Sequence, residues 1–130
     1  MQTLQWKIIH NIYPTNVTLN RIGLSLSEKC RFCQDTDSID HFFITCPQLV
    51  SFWLSVKNFI YSLLDSHIVL TNKDILLGAT KNNNKKIHVI DFKKLNEILI
   101  IAKFSISKYK VDINQNLQIV FENELFLRGF

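Results

Sequence analysis

Glycine and proline are scarce, three and two in 130 residues, while 47% of the chain is apolar and ten residues are Phe. That shortage excludes a flexible or low-complexity protein and leaves a chain of one-domain size able to bury a core. Long apolar runs are missing too. Leu49 to Leu64 and Leu95 to Tyr109 are interrupted by Lys57, Asn58, Lys103 and Lys108, so neither suits a bilayer. The opening residues, MQTLQWKIIHNIYPTN, lack the apolar stretch and small-residue cleavage site of a secretory signal. The expectation is a soluble intracellular chain, nuclear or cytoplasmic, with no membrane partner and with its thiols kept reduced. Acidic residues are modestly outnumbered, 11 against 15 Lys and Arg, for a net charge of +4. Such a balance suits a nucleic-acid partner without requiring one.

Cysteine is the scarcity that says most. Three cysteines cannot close among themselves as disulfides, and all three lie in the 17 residues from Cys30 to Cys46. With one histidine they form a Cys-x2-Cys-x7-His-x4-Cys array: Cys30, Cys33, His41 and Cys46. Three thiolates and an imidazole fill a tetrahedral zinc shell, and a Cys-x2-Cys turn readily faces two sulfurs inward. Donor atoms around such a centre are expected roughly 3–4.5 Å apart. Three thiolates on a dication leave one net negative charge, which Lys29 and Arg31 are placed to offset. Three buried structural cysteines would explain neither the clustering nor the spacing. A redox Cys30/Cys33 pair would need a strand before it and a helix starting at Cys30, and the polar SLSEK lead-in does not read as a strand.

Around the array the apolar periodicity is helical. Leu4, Ile8, Ile9 and Ile12 suggest a helix over residues 4–12 stopped by Pro14, with Trp6 and Trp53 read as core anchors. Thr15 or Asn16 caps a second short helix, ended by Gly23. Ser38 is placed to cap a short helix opening toward His41. Pro47 fits the first turn of a longer helix whose apolar face runs through Leu49, Phe52, Trp53, Val56, Phe59, Ile60, Leu63 and Leu64. Asn72 or Thr71 caps KDILLG, and the polar KNNNKK run at residues 81–86 makes the best internal boundary. Asp91 then caps a helix to about Tyr109, apolar on more than one side, and Asn114 caps a last helix through Leu125. Only His67 to Leu70 and Ile87 to Ile90 offer brief strand candidates. The expected fold is mainly α, a small helical domain stapled by a Cys3His zinc knuckle. Residues 1–64 would form the zinc-binding module and 65–130 a helical extension packing on it.

Trp6, the Tyr13-Pro14-Thr15-Asn16 run, Arg21-Ile22-Gly23, the array, Cys46-Pro47 and Phe52-Trp53 occur in an order that resembles the reverse-transcriptase zinc-binding region of LINE-type non-LTR retrotransposons. In that family the pattern runs from a Trp through Leu-Pro-Thr-Asn, Cys-x-x-Cys, Glu-Thr-x-x-His-Leu-Phe and Cys-Pro to Phe-Trp. Here Tyr13 replaces Leu, Asp37-Ser38 replaces Glu-Thr, and Phe42 replaces the Leu after the histidine. The motif-bearing likeness covers residues 4–64, and the tail is similar more weakly. The resemblance implies a piece of a target-primed reverse transcription machine that contacts template RNA or target DNA, with the element's own polymerase region as a further partner.

No catalysis is expected. The chain has no room for a polymerase and no paired aspartates in a strand-turn-strand context to hold magnesium. Lys7, Arg21, Lys29, Arg31, Lys81, Lys85, Lys86, Lys93 and Lys94 are candidate phosphate contacts, with ordinary solvated faces as the alternative; Lys29 and Arg31 are favoured because the metal fixes their backbone. Phe32 could stack on an unpaired base or plug the core beneath the metal. His10, His67 and His88 have no role once four ligands are assigned. A structural or protein-interaction zinc domain with no nucleic-acid contact is the rival reading, and an exposed apolar stripe would favour it.

Overall fold

A computed structural model describes residues 2–64, 68–79 and 89–130. Its helices are α1 (Gln2–Ile9), α2 (Asn16–Arg21), α3 (Val50–Leu64), α4 (Asn72–Leu77), α5 (Val89–Val111) and α6 (Leu117–Leu127). Among the described residues there is no strand, only one isolated antiparallel bridge between Lys29 and Thr36. The fold is mainly α, as the periodicity predicted. Among the described residues no helix is long and apolar enough to cross a membrane. Residues 68–70 are irregular and 89–90 open α5, so the described parts of the two strand candidates are not strands. His67, His88, Lys81, Lys85 and Lys86 lie outside the described residues.

Each short helix ends for a local reason. α1 stops at Ile9, short of the expected residue 12, because Asn11 adopts a left-handed φ of 56°. The Asn11 N–H then donates to the Ile8 carbonyl and the Ile12 N–H to the Lys7 carbonyl, closing a Schellman motif. The break takes Ile12 out of the helix, where it is exposed; within α1 Leu4 and Ile8 are buried, Ile9 is exposed, and Trp6 is 55% exposed rather than a core anchor. α2 starts at Thr15, whose hydroxyl accepts from the Thr18 N–H, and ends through the same motif at Gly23 (φ 82°). α4 carries a full capping box, Thr71 with Asp74, and closes at Gly78. Asp91 sits inside the first turn of α5 rather than before it, and the α6 cap is Asn116, not Asn114.

The core forms where α3, α5 and α6 meet. Val56, Ile60, Leu95, Ile98, Leu99, Ile101 and Ile106 are fully enclosed. Phe121 of α6 drives edge-on into Phe52 and Phe59 of α3, centroids 5.4 and 6.3 Å away. Such T-shaped pairs add about 0.5–1.5 kcal/mol each beyond the area they bury. Lys108 and Glu124 close the α5–α6 seam at 2.7 Å. α5 is buried on several sides, including at Lys103, Ser105 and Lys110. The Lys103 ammonium donates to Gln5 Oε1 of α1 (2.6 Å) and to the Leu76 carbonyl of α4 (3.0 Å), tying three helices at one point.

Candidate metal centre

The Cys-x2-Cys segment doubles back on itself. The Lys29–Thr36 bridge sets its base, and the Cys30 N–H donates to the Asp35 carbonyl at 2.6 Å. Gln34 closes the turn with an N–H to the Cys30 carbonyl at 3.0 Å, in a left-handed conformation (φ 67°). That conformation costs a residue with a Cβ about 1–2 kcal/mol, here accepted where two sulfurs must face inward. The Phe32 backbone N–H donates to Cys30 Sγ at 3.4 Å.

The other two donors come from a helical turn of unusual width. Ser38 Oγ accepts the His41 N–H at 3.2 Å, and from His41 to Thr45 the chain runs as a π-helix. The Cys46 N–H then reaches the His41 carbonyl, five residues back, at 3.1 Å. In an ordinary α-helix, positions five apart point about 140° away from each other. Closing five residues into one turn brings Cys46 back over His41, which an ordinary turn would not do. Trp53 Nε1 donates to the Phe43 carbonyl at 2.7 Å, a buried bond that pins the widened turn to α3.

Cys30, Cys33, His41 and Cys46 therefore converge. Their donor atoms all lie within 4.8 Å of one another, with His41 Nε2 only 3.2 Å from Cys33 Sγ. The 4.8 Å bound lies just above the 3–4.5 Å expected of the sequence. Bonds of 2.0–2.3 Å around a tetrahedral ion need donor separations of roughly 3.3–3.8 Å, a contraction of about an ångström at most. Cys30, His41 and Cys46 are buried, at 2%, 6% and 0% exposure, and Cys33 is partly so. The donor set fits zinc in number, softness and enclosure. The Asp35 backbone bonded to Cys33 pulls its pKa down, but burial and the neighbouring Cys30 and Cys46 thiolates prevail and push it up to about 11. Three thiolates at this spacing need a cation between them. No helix starts at Cys30, and its sulfur is enclosed, so the geometry a redox pair needs is absent.

Asp37 fastens this knuckle to the rest of the molecule. Its buried carboxylate accepts the Asn16 N–H at 2.9 Å, and its carbonyl accepts the Val17 N–H at 3.3 Å. Asn16 Nδ2 returns the bond to the Lys29 carbonyl at 2.7 Å. Replacing Asp37 with Ala leaves the donor at the start of α2 without its acceptor. The variant is expected to lose about 1–3 kcal/mol in urea unfolding while still binding one zinc per chain by metal analysis. Zinc loss with unchanged stability would contradict this anchoring role.

The sequence-predicted nucleic-acid residues are distributed around this unit. Lys29, Arg31 and Arg21 are exposed and Lys7 is half-buried. Arg21 Nη2 reaches the Asn11 carbonyl at 3.5 Å. Phe32 is half-buried, stacked with Tyr109 at 6.3 Å, and the Arg31 guanidinium lies over its ring at 4.9 Å. Beneath the knuckle Tyr13 packs against Phe42 and Phe43, at 5.2 and 4.9 Å, and burial raises the pKa of its phenol despite a hydrogen bond with Ser107. The sequence reading missed Asp37 and Lys110. The first was legible only as an acidic residue four positions before the histidine, and the second carried no local signal.

A family model described as zinc-binding in reverse transcriptase matches residues 1–53. Residues 1–53 are a reverse-transcriptase zinc-binding region. All four donors lie within it, and zinc is its cofactor. The match includes Trp53, the residue whose indole pins the π-turn. No curated protein and no solved structure shows significant similarity to the chain.

Proposed function

We propose that the chain is a non-catalytic, zinc-stabilised nucleic-acid-binding module from the C-terminal region of a LINE-type reverse transcriptase, acting on template RNA or target DNA. The observation that carries this reading is the Cys3His group inside a segment that matches the reverse-transcriptase zinc-binding family. Support comes from the net charge of +4 and from Lys29 and Arg31, exposed on a turn whose backbone the metal fixes. Binding of this kind rests on phosphate neutralisation and reads sequence weakly. Lys29→Ala combined with Arg31→Ala is expected to weaken single-stranded RNA binding several-fold for every sequence tested. It should also flatten the salt dependence by about two charges and leave the zinc content at one. Affinity indifferent to salt and to both substitutions would sink the reading.

A specific observation favours a second reading, a platform that docks on the polymerase region without touching nucleic acid. Trp6, Ile9, Ile12, Ile22, Leu24 and Leu26 are all exposed, more apolar surface than this small region needs for itself. Under that reading Trp6→Ala, and not the double charge variant, removes the measurable interaction.

A further inference from the structure

Lys110 is in an unusual position. It is 8% exposed, its ammonium is enclosed, and among the described residues it has no hydrogen-bond partner. An ammonium left that way costs several kcal/mol unless something nearby favours positive charge. Two aromatic faces do part of this. Lys110 Nζ stands 4.4 Å from the centroid of Phe42 and 5.8 Å from that of Phe32. These rings are not arbitrary neighbours, for Phe32 immediately precedes the donor Cys33 and Phe42 immediately follows the donor His41. Lys110 thus spans the Cys-x2-Cys turn and the π-turn, the two segments that carry all four donors. It also lines a cleft of about 240 Å³ together with Cys30, Asp37 and Arg31.

Two ring faces offset only part of the desolvation of an ammonium, roughly 2 kcal/mol each at best. The negative charge in reach is that of the donors and of the Asp37 carboxylate, which already accepts the Asn16 N–H. A dication held by three thiolates and a neutral imidazole carries a net charge of −1, in a buried setting where screening is weak. Lys29 and Arg31, expected from the sequence to balance that charge, are exposed. We infer that Lys110 is the internal counter-cation of the zinc–thiolate centre, and that through it the C-terminal end of α5 completes a metal site whose ligands all lie within residues 1–53. The rest of the buried environment agrees: burial lowers the Lys110 pKa, and Cys46, Cys30, Asp37 and Cys33 each act to raise it.

The two roles open to a buried lysine predict opposite signs. A counter-cation is a liability without the metal and an asset with it. Lys110→Met, which keeps the length and fills the space between the rings, should raise the melting temperature of the metal-free protein. It should also weaken zinc affinity about tenfold, measured by competition with a chelator and by cobalt(II) thiolate absorption. Lys110→Arg should hold affinity within about twofold, and Lys108→Met, on the exposed neighbouring lysine, should do the same. If Lys110→Met binds zinc as tightly as the parent protein, the inference is wrong. Lys110→Gln serves as a second neutral variant read by the same measurements. Failure of both neutral variants to fold, with or without metal, would also overturn the inference and make Lys110 an architectural residue only.

Discussion

Stripping the zinc with a chelator is expected to strip residues 24–46 of hydrogen-exchange protection while most of the helical circular dichroism survives. The segment holds almost nothing else to keep it folded. Its enclosed side chains are Cys30, Asp37, Ile39, His41, Phe43 and Cys46, of which three are metal donors and one is a carboxylate. Its backbone is a single bridge and a left-handed turn at Gln34, followed by a π-turn whose closure depends on His41 and Cys46 facing one point. By contrast α3, α5 and α6 carry no metal donor and supply much of the buried apolar core, from Val56 and Ile60 to Leu99, Ile106 and Phe121. Metal binding is coupled to folding most strongly where the local core is poorest, and apparent zinc energies of about 10–16 kcal/mol in small modules are large against the stability of a domain. Cys46→Ser should therefore reproduce the chelated state, since its sulfur is fully enclosed at the junction with α3. Collapse of the entire helical signal on chelation would show that the α3–α5–α6 core does not stand without the metal.

Substituting Lys103 with Met should stabilise the protein at neutral pH, by about 1–3 kcal/mol, and remove a pH dependence that the parent protein shows. Lys103 is 1% exposed, and burial lowers its pKa from 10.5 to about 7. Its partners, Gln5 Oε1 and the Leu76 carbonyl, are neutral, so nothing charged compensates the ammonium there. The sign follows from proton counting. Between about pH 7 and 10.5 the unfolded chain keeps this proton and the folded chain releases it. Stability therefore rises with pH across that window, and the full penalty is present below it. Lys103→Met removes the cost of carrying a charge inside but leaves Gln5 Oε1 without that donor, while Leu76 retains Gln5 Nε2 at 2.8 Å. Replacing buried ions by apolar groups of similar volume commonly gains 1–4 kcal/mol, of which the lost acceptor returns part. Urea unfolding of zinc-loaded parent and variant at pH 7 and pH 9 measures this. The difference between the two isolates Lys103 from the thiols and phenols, which titrate in both. A variant less stable than its parent at pH 7 would mean that the two hydrogen bonds outweigh the desolvation.

The donor array, the caps at Thr15 and Thr71 and the stripe on α3 were all legible in the sequence because each depends on residues close together in it. The spacing of Cys30, Cys33, His41 and Cys46 states its own chemistry, and Gly23 marks the end of α2 because the turn needs a positive φ. What could not be read is non-local or turns on a single backbone angle. Asn11 in the left-handed region ends α1 a turn early and takes Ile12 off the stripe, while Trp6 and Ile9 are exposed on α1 itself, which depends on what the rest of the fold packs against that helix. Lys103 reads as an interruption of an apolar run, and Lys110 falls just past the expected end of that helix at Tyr109. Only the fold reveals that one reaches α1 and α4, and that the other lies between two rings of the knuckle. The shift of the last cap from Asn114 to Asn116 is a smaller error of the same kind, since two asparagines two residues apart differ only in which one the backbone leaves extended.

The bond between Gln5 and Lys103 spans 98 residues, and that between Gln5 and the Leu76 carbonyl spans 71. The donors of the knuckle, by contrast, close a loop of 17 residues. A chain emerging from a ribosome can therefore gather its thiols early, at small loop-closure cost, while α1 waits for its side-chain anchors until most of the remaining sequence has been made. The first helix in the sequence is among the last to be fixed in place.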